Sequence, residues 1–275
     1  MDPVVSVRPL LAVLVSLAVV PVLVSSSGKP NAREAWTILA GLVKFGLVAS
    51  LVPVVLSGRE VVLTLFRFAP GAEIALRVDG LGLLFALVAS FLWIVTSLYS
   101  VGYMRGLDEH SQTRFFSFFA VALSSAIGVA FSANLLTLYL FYEILSLSTY
   151  PLVAHHQDEE ARISGRKYLT YILGTSVGLV LPAMILCYNI AGTLEFAQGG
   201  IFGAGISQPV ATGLLLVFLF GFAKAAIIPL HGWLPAAMVA PTPVSALLHA
   251  VAVVKVGVFS LVRVMTGIFG IDLLG

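Results

Sequence analysis

Residues 218–243 read FLFGFAKAAIIPLHGWLPAAMVAPTP, and this stretch decides the fold. It begins as an apolar run in which Lys224 is the first charged residue. The run is then interrupted by four prolines and a histidine: Pro229, His231, Pro235, Pro241 and Pro243. Proline removes a backbone donor and breaks or kinks a helix, and irregular backbone within a bilayer must be buried in protein or line a wet cavity. The stretch therefore predicts a broken membrane helix beside a buried lysine, an arrangement common in transporters.

The composition of the whole chain agrees with a membrane location. The chain has 275 residues, of which 59% are hydrophobic and 10% are charged. Soluble domains carry roughly 25% charged residues, so this chain has too little charge to coat a water-soluble globule. The net charge of +2 gives no electrostatic footprint for nucleic acid. The single cysteine, Cys187, cannot form an internal disulfide.

Long apolar runs separated by charged residues predict about eight transmembrane helices. The runs are too long and too uniformly apolar for strands, and a helix satisfies every backbone group inside the bilayer. The predicted spans are residues 9–26, 36–57, 81–103, 115–132, 135–154, 168–191, 211–229 and 242–266. The fold class is therefore an all-α integral membrane protein. Residues 10–24 also fit the core of a signal peptide, but a retained helix is favoured because only Arg8 supplies positive charge before them.

The distribution of Lys and Arg between loops predicts the orientation. One side of the predicted bundle carries seven basic loop residues and the other side five. Because cytoplasmic loops are enriched in Lys and Arg, both termini are expected outside the cytoplasm. On that outer side, residues 58–77 hold two apolar stretches separated by Pro70-Gly71 and predict a β-hairpin. Asp79, which follows, is an N-cap candidate for the third span.

Ionisable residues inside the apolar spans are the candidate functional residues: Glu143, Lys224, His249 and Lys255. A charge at the bilayer centre costs about 2.5–3.5 kcal/mol, so these side chains must face protein or water. Several occur within three neighbouring helices, which favours a proton relay. A static Glu143–Lys224 pair and a packing hydrogen bond of His249 are the alternatives. Lys44, in the second span, is expected to extend its ammonium group to the membrane surface.

The chemistry of these residues suits proton transfer. His249 and Lys255 are six residues apart on one predicted helix, about 9 Å along its axis, which suits two stations joined by water. A Glu–Lys pair that opens and closes would change how tightly the lysine holds its proton, and a histidine titrates near neutrality. The segment 155–160, HHQDEE, favours a solvated cytoplasmic turn over a metal site. No metal and no cofactor is predicted.

Residues 223–250 closely resemble the proton-conducting antiporter-like subunits, in nearly 30 positions that are mostly in register. That family includes the large membrane-arm subunits of complex I, their equivalents in membrane-bound hydrogenases, and the D or A subunits of Mrp-type cation/proton antiporters. Phe141-Tyr142-Glu143 and Val78-Asp79-Gly80-Leu81 agree with the resemblance. Tyr142 stands where many relatives have Trp.

The resemblance implies a fold of about fourteen helices with two inverted five-helix repeats, each containing a broken helix. Residues 115–275 would be the first repeat, formed by spans four to eight, and residues 1–114 the preceding helices with the outer hairpin. Glu143 would be the acid of the pair and Lys224 the pumping lysine. His249 and Lys255 would connect them to a second half. Either this chain is a fragment of a longer one that contains that half, or a second polypeptide supplies it.

The leading hypothesis is a proton or Na⁺/H⁺ translocating subunit of a multisubunit membrane complex. The complex would be an Mrp-type antiporter or a redox-driven translocase related to complex I or hydrogenase, and this chain would have no catalytic site of its own. Its expected partners are other membrane subunits, and its expected location is the plasma membrane or an equivalent energy-coupling membrane. The alternative is a structural or assembly subunit with a vestigial half-channel. A quinone site in a redox enzyme is a third hypothesis, which no residue specifically supports.

Overall fold

The computed structural model describes residues 3–202, 206–247 and 252–274. Within these residues, six helices are long and apolar enough to cross a membrane: Arg8–Ser25, Pro30–Leu56, Gly80–Gly106, Gln112–Ala130, Leu135–Val153 and Glu159–Ala191. They confirm the first six predicted spans to within a few residues, except that the sixth begins earlier. The seventh and eighth predicted spans are built from shorter pieces. The chain is therefore a helical, membrane-embedded protein.

The helices and strands follow one another in a simple order. They are β1 Val4–Val5, α1 Arg8–Ser25, α2 Pro30–Ala49, α3 Val52–Leu56, β2 Val61–Ala69, β3 Ala72–Val78, α4 Gly80–Gly106, α5 Gln112–Ala130, α6 Leu135–Val153, α7 Glu159–Thr175, α8 Leu181–Ala191, α9 Gln208–Gly221, α10 Trp233–Ala236, α11 Thr242–Leu247, α12 Val254–Val264 and α13 Ile271–Leu274. A π-helical turn, Ser176–Val180, joins α7 to α8, and a second, Met265–Phe269, follows α12.

Side-chain caps fix where three of the spans begin. The Asp79 carboxylate accepts a hydrogen bond from the Gly82 N–H at 2.8 Å, which confirms it as the N-cap of α4. Asn134 and Asp158 cap α6 and α7 in the same way. The first N–H groups of a helix have no partner within the helix. A polar cap therefore sets the start of a span at the edge of the apolar region.

The predicted hairpin is present and covers one end of the bundle. Strands β2 and β3 pair antiparallel around the turn at Pro70-Gly71, and β1 adds a third, parallel strand that the sequence did not predict. Gly71 has a φ of +71°, and a Cβ there would lie 2.5 Å from the Gly192 carbonyl oxygen. The turn therefore requires glycine both for its backbone conformation and for its contact with the end of α8.

Helix α5 lies at the centre of the bundle. In the apolar 18-residue stretch of this helix 78% of the residues are buried, against 28% in the corresponding stretch of the span Pro30–Leu56. It packs against α1 and α4 on one side and α6 on the other. It thus separates the N-terminal helices from the helices that carry Glu143 and Lys224. The predicted boundary between residues 114 and 115 falls within its first turn.

The two ends of the bundle carry different polar contacts. At one end the Arg105 guanidinium binds the Glu34 carboxylate at 2.5 Å, and Arg33 donates to Gln112 at 2.6 Å. At the other end, beside the hairpin, Arg263 forms a bidentate ion pair with Asp79. The loops meet alternately at the two ends, as the predicted topology requires. Which end faces the cytoplasm stays a prediction.

The seventh span is broken, as predicted, but earlier than expected. Helix α9 ends at Gly221 and is followed by a 3₁₀ turn, Ala223–Ala225, and a left-handed residue, Ala226. The predicted end at residue 229 is therefore wrong. The helix stops at Gly221, ahead of Pro229, where the chain packs closely on another helix: a Cβ at Gly221 would lie 2.6 Å from the Val180 side chain.

Candidate functional site

Lys224 lies in the turn that follows α9 and is fully buried. Its ammonium group donates to the Tyr142 carbonyl at 2.8 Å and to the Ser146 hydroxyl at 2.5 Å. It also lies 3.1 Å from the centroid of the Tyr142 ring, a cation–π contact. The lysine is therefore held on the surface of α6 by three groups of different chemistry.

The spacing on α6 makes this cradle possible. Tyr142 and Ser146 are four residues apart, so their side chains lie on the same helical face. Both are fully buried. Sequence reasoning missed Ser146, although the i, i+4 relation to Tyr142 was a signal that could have found it.

Glu143 is the next residue of α6 and is only partly buried. Its charge is near enough to interact with that of Lys224, but the two groups form no direct ion pair in the described part of the chain. Both carboxylate oxygens are buried and accept no hydrogen bond from the described residues. Ser176 lies nearby, but its hydroxyl donates to the Leu173 carbonyl instead. A buried polar atom without a protein partner is a place where ordered water binds.

The backbone of the Lys224 turn is fixed by close packing. The Trp233 indole N–H donates to the Ala223 carbonyl at 2.9 Å. On α12, a Cβ at Gly257 would overlap the backbone of Lys224 and Ala225. Only glycine lets α12 approach this closely, so the turn is clamped between α12 and α6.

The other predicted site residues are not gathered at Lys224. Lys255, at the start of α12, is exposed on the outer face, beside a groove of about 350 Å³ between α4 and α12. His249 lies outside the described residues. Three residues of the broken segment are exposed, Pro229, His231 and Pro235, whereas Pro241 and Pro243 are buried. The predicted relay from Lys224 to Lys255 therefore stays a prediction.

Lys44 does not extend to the membrane surface, and that prediction is wrong. The side chain is fully buried at the middle of α2, and its ammonium donates to the Ser16 hydroxyl at 2.5 Å. It also lies 5.2 Å from the centroid of the Trp93 ring. Three neighbouring helices enclose it, so the long side chain stays inside the bundle.

The loop at His155 is also more buried than expected. The His155 side chain is fully enclosed, its ring stacks on His110 at 4.9 Å, and Glu109 lies 3.8 Å away. Burial, reinforced by the nearby Arg114 charge, lowers the pKa of His155 to about 4. His155 is therefore neutral at pH 7, and the expectation of a solvated turn is wrong for this residue.

The helical bundle, the broken seventh helix and the buried lysine define an integral membrane protein with an internal protonatable site. The family described as "NADH:quinone oxidoreductase/Mrp antiporter, TM" matches residues 132–272. The family described as "NADH-Ubiquinone oxidoreductase (complex I), chain 5 N-terminus" matches residues 70–116. The chain belongs to the proton-conducting antiporter-like subunit family, which confirms the resemblance seen in the sequence.

Two curated relatives share much of this sequence. The probable K(+)/H(+) antiporter A/B subunit of Rhizobium meliloti (strain 1021) is 37% identical over 227 residues, which cover 81% of this chain and 22% of that protein. The Na(+)/H(+) antiporter A1 subunit of Staphylococcus aureus (strain bovine RF122 / ET3-1) is 32% identical over 247 residues, 85% of this chain and 29% of that protein. The chain thus spans less than a third of the length of these relatives.

A solved structure shares the fold. It is that of the membrane-bound sulfane sulfur reductase, an archaeal respiratory membrane complex. One of its chains matches with a TM-score of 0.83 and 24% identity, covering 98% of this chain and 56% of that one. The fold is therefore shared with a chain of that respiratory membrane complex.

Proposed function

We propose that this chain forms a proton-translocating part of a multisubunit cation/proton antiporter of the Mrp type, with Na⁺ or K⁺ as the exchanged cation. The observation that carries the proposal is the fully buried Lys224 in a broken helix, near the Glu143 carboxylate of α6. The printed names of both relatives, which describe K(+)/H(+) and Na(+)/H(+) antiporter subunits, support the choice of ions.

In the proposed cycle, Lys224 takes up and releases the transported proton. The Glu143 charge stabilises the ammonium form, and this attraction weakens as the distance between the two groups grows. A change in the Glu143 side-chain conformation would carry its carboxylate away from Lys224, whose backbone is fixed. The ammonium would then give its proton to water, leaving a neutral amine held by Ser146, and would be reprotonated when the carboxylate returns.

The rest of the path is proposed from the family resemblance. His249 and Lys255 would pass the proton towards a second repeat that lies beside them. The exposed position of Lys255 beside the groove between α4 and α12 suits contact with such a neighbour. The proposed location is the plasma membrane or an equivalent energy-coupling membrane.

The test uses membrane vesicles that contain the assembled complex, with proton movement followed by a pH-sensitive dye after addition of NaCl or KCl. We expect Lys224→Ala and Lys224→Arg to reduce cation-driven proton movement to background, because neither side chain can release a proton there. Glu143→Gln should reduce it about tenfold or more, since the ammonium loses its counter-charge.

The matched control is Lys29→Ala, which removes an exposed lysine from a loop. It should transport at the unmodified rate, and the complexes should contain the same subunits in every case. Normal cation-driven proton movement by an assembled Lys224→Ala complex would disprove the proposal. Proton movement that needs an electron donor instead of a cation gradient would favour a redox-driven complex.

A further inference from the structure

A second buried lysine lies near the middle of the span Pro30–Leu56, and the Lys224 mechanism does not use it. Lys44 on α2, Ser16 on α1 and Trp93 on α4 meet near the middle of their helices, and all three are fully buried. Lys44 and Ser16 lie outside residues 70–116 and 132–272, which the two family matches cover.

No acidic side chain neutralises Lys44 within the described residues. The charged residues on the surrounding helices lie near helix ends: Arg8 on α1, Arg33 and Glu34 on α2, Arg105 on α4 and Arg114 on α5. Glu34 is ten residues from Lys44, about 15 Å along the helix axis. Its carboxylate is bound by Arg105. A permanent charge on Lys44 would therefore lack a counter-ion, which is costly inside a protein.

Polar atoms around Lys44 have unused hydrogen-bonding capacity. The Trp93 indole N–H and, one helical turn further, the Ser97 hydroxyl are buried and have no partner among the described residues. Buried polar groups without a protein partner bind ordered water. A lysine that donates to one hydroxyl and lies beside the ring of Trp93, whose indole N–H has no partner among the described residues, is placed to exchange a proton with water.

Polar contacts also lead from Lys44 towards α5. The Ser16 hydroxyl donates to the Val13 carbonyl at 3.3 Å, and the Ser124 hydroxyl of α5 donates to the same carbonyl at 2.7 Å. Helix α5 packs in turn against α6, which carries Glu143. The Lys44 site is thus connected, through α5, to the helix that holds Lys224.

We propose that Lys44 is a second proton-binding site of this chain, in the N-terminal helices. In the step, the neutral amine takes a proton from hydronium and forms ammonium and water, and the reverse step returns the proton. Ser16 accepts from the ammonium, while Trp93 and Ser97 hold the exchanging water. The site's part in transport rests on the proposed function, but proton binding at Lys44 is a property of the chain itself.

The first test observes proton binding directly in the unmodified complex. The chain has five lysines, Lys29, Lys44, Lys167, Lys224 and Lys255, so side-chain ¹⁵N signals from labelled lysine can be resolved in lipid nanodiscs and assigned by single substitutions. As the pH is raised, we expect the Lys44 signal to change from its ammonium to its amine position before the signal of the exposed Lys29 does. A Lys44 signal that stays at the ammonium position throughout would overturn the proposal, because it would show a fixed charge.

The second test asks whether transport uses the site. Lys44→Gln keeps a donor for Ser16 but binds no proton, and we expect cation-driven proton movement to fall at least tenfold. Lys44→His restores a titratable group, so it should recover part of the activity with a pH optimum moved to lower pH. Val48→Ala, a change at a fully buried residue one turn away, is the control for packing and should change the rate less than twofold.

The outcomes separate this proposal from the proposed function. If Lys44→Gln moves protons at the unmodified rate while Lys224→Ala is inactive, Lys44 has no part in transport. If Lys224→Ala is active, the proposed function fails, but the titration of Lys44 by NMR still decides proton binding. If the complex with Lys44→Gln does not assemble, the NMR titration of the unmodified complex decides whether Lys44 binds and releases a proton.

Discussion

The two buried lysines occupy cradles of similar chemistry on different backbones. Lys44 and Lys224 are both fully buried, and each donates to a serine hydroxyl at 2.5 Å beside an aromatic ring. Lys44 belongs to the continuous helix α2, whereas Lys224 lies in a 3₁₀ turn where a span has been interrupted. Irregular backbone inside a membrane must be enclosed by protein, and at Lys224 helices α6 and α12 enclose the turn.

The position of the acid distinguishes the two sites further. Glu143 is adjacent in sequence to Tyr142, which holds Lys224, and both carboxylate oxygens lack a partner among the described residues. Glu34, the acid on the helix of Lys44, is already bound by Arg105 at the end of the bundle. In the proposed mechanism, Lys224 therefore exchanges its proton near a carboxylate charge, whereas proton exchange at the proposed Lys44 site depends on water. The comparison teaches that burial alone does not make two lysines equivalent.

The largest expected effect comes from a substitution that disturbs the packing around Lys224 and leaves the Lys44 site unchanged. Gly257→Ala would force α12 away from the Lys224 turn, because a Cβ there overlaps backbone atoms that cannot move aside. We expect a loss of about 3 kcal/mol in stability, measured by thermal unfolding in detergent, and no detectable transport. The Lys44 NMR signal should be unchanged.

The matched control for this prediction is Gly213→Ala on α9, where a Cβ meets no atom within 4 Å. It should unfold at or slightly above the unmodified temperature, since alanine favours the helix. Equal unfolding temperatures for the two variants would show that the close approach of α12 is unimportant.

An intermediate effect tests whether the two sites share a support. Arg114, in the first turn of α5, donates to the His155 carbonyl at 2.7 Å. The folded protein holds the pKa of His155 near 4, below the ordinary 6.5. Stability from this residue is complete above pH 6.5 and is lost as the pH falls towards 4, because the unfolded chain binds the proton more readily.

We expect this acid-dependent loss to be about 2 kcal/mol, measured as the difference in thermal unfolding between pH 7 and pH 5. It should disappear in His155→Asn but persist in His156→Asn, whose ring is partly exposed. Both lysine NMR signals should change together over this pH range if α5 supports both sites. A change at only one site would show that the supports are independent.

The smallest expected effect compares the two serines. Ser146→Ala and Ser16→Ala each remove one acceptor from a buried ammonium, a loss of about 1.4 kcal/mol or roughly tenfold in rate. We expect the full tenfold loss of transport for Ser146→Ala, because in the proposed cycle Ser146 holds the Lys224 ammonium that carries the transported proton. Ser16→Ala should cost about threefold, since water can replace the hydroxyl. A larger effect at Ser16 than at Ser146 would reverse the ranking of the two sites.

Much of the fold could be predicted from the sequence because it depends on local pattern. Six spans, the hairpin at Pro70-Gly71, the Asp79 cap and an interruption of the seventh span near Lys224 each follow from apolar runs, turn residues or prolines within a short stretch. The pairing of β1 with β2 could not be predicted, because two residues near the start of the chain carry too little pattern. The end of α9 at Gly221 depended on contacts with other helices.

The candidate site was predictable in its residue types but not in its contacts. An isolated charge in an apolar span identifies Glu143 and Lys224, since such a charge is costly in lipid. The distance between them is not encoded in any local pattern, and the ammonium binds Tyr142 and Ser146 rather than the Glu143 carboxylate. For Lys44 and His155, sequence reasoning assumed exposure that the neighbouring helices exclude.

By itself the sequence determined that this chain enters a membrane, roughly where six of its spans lie, and that one helix is interrupted beside a lysine. These properties follow from hydrophobicity, capping and proline, which act between residues close together in the chain. Only the tertiary structure decided which lysines are enclosed, what each ammonium binds, and that Lys255 faces outwards. Those outcomes depend on which helices meet and at what rotation, and a run of apolar residues specifies neither because lipid and protein interior are equally apolar.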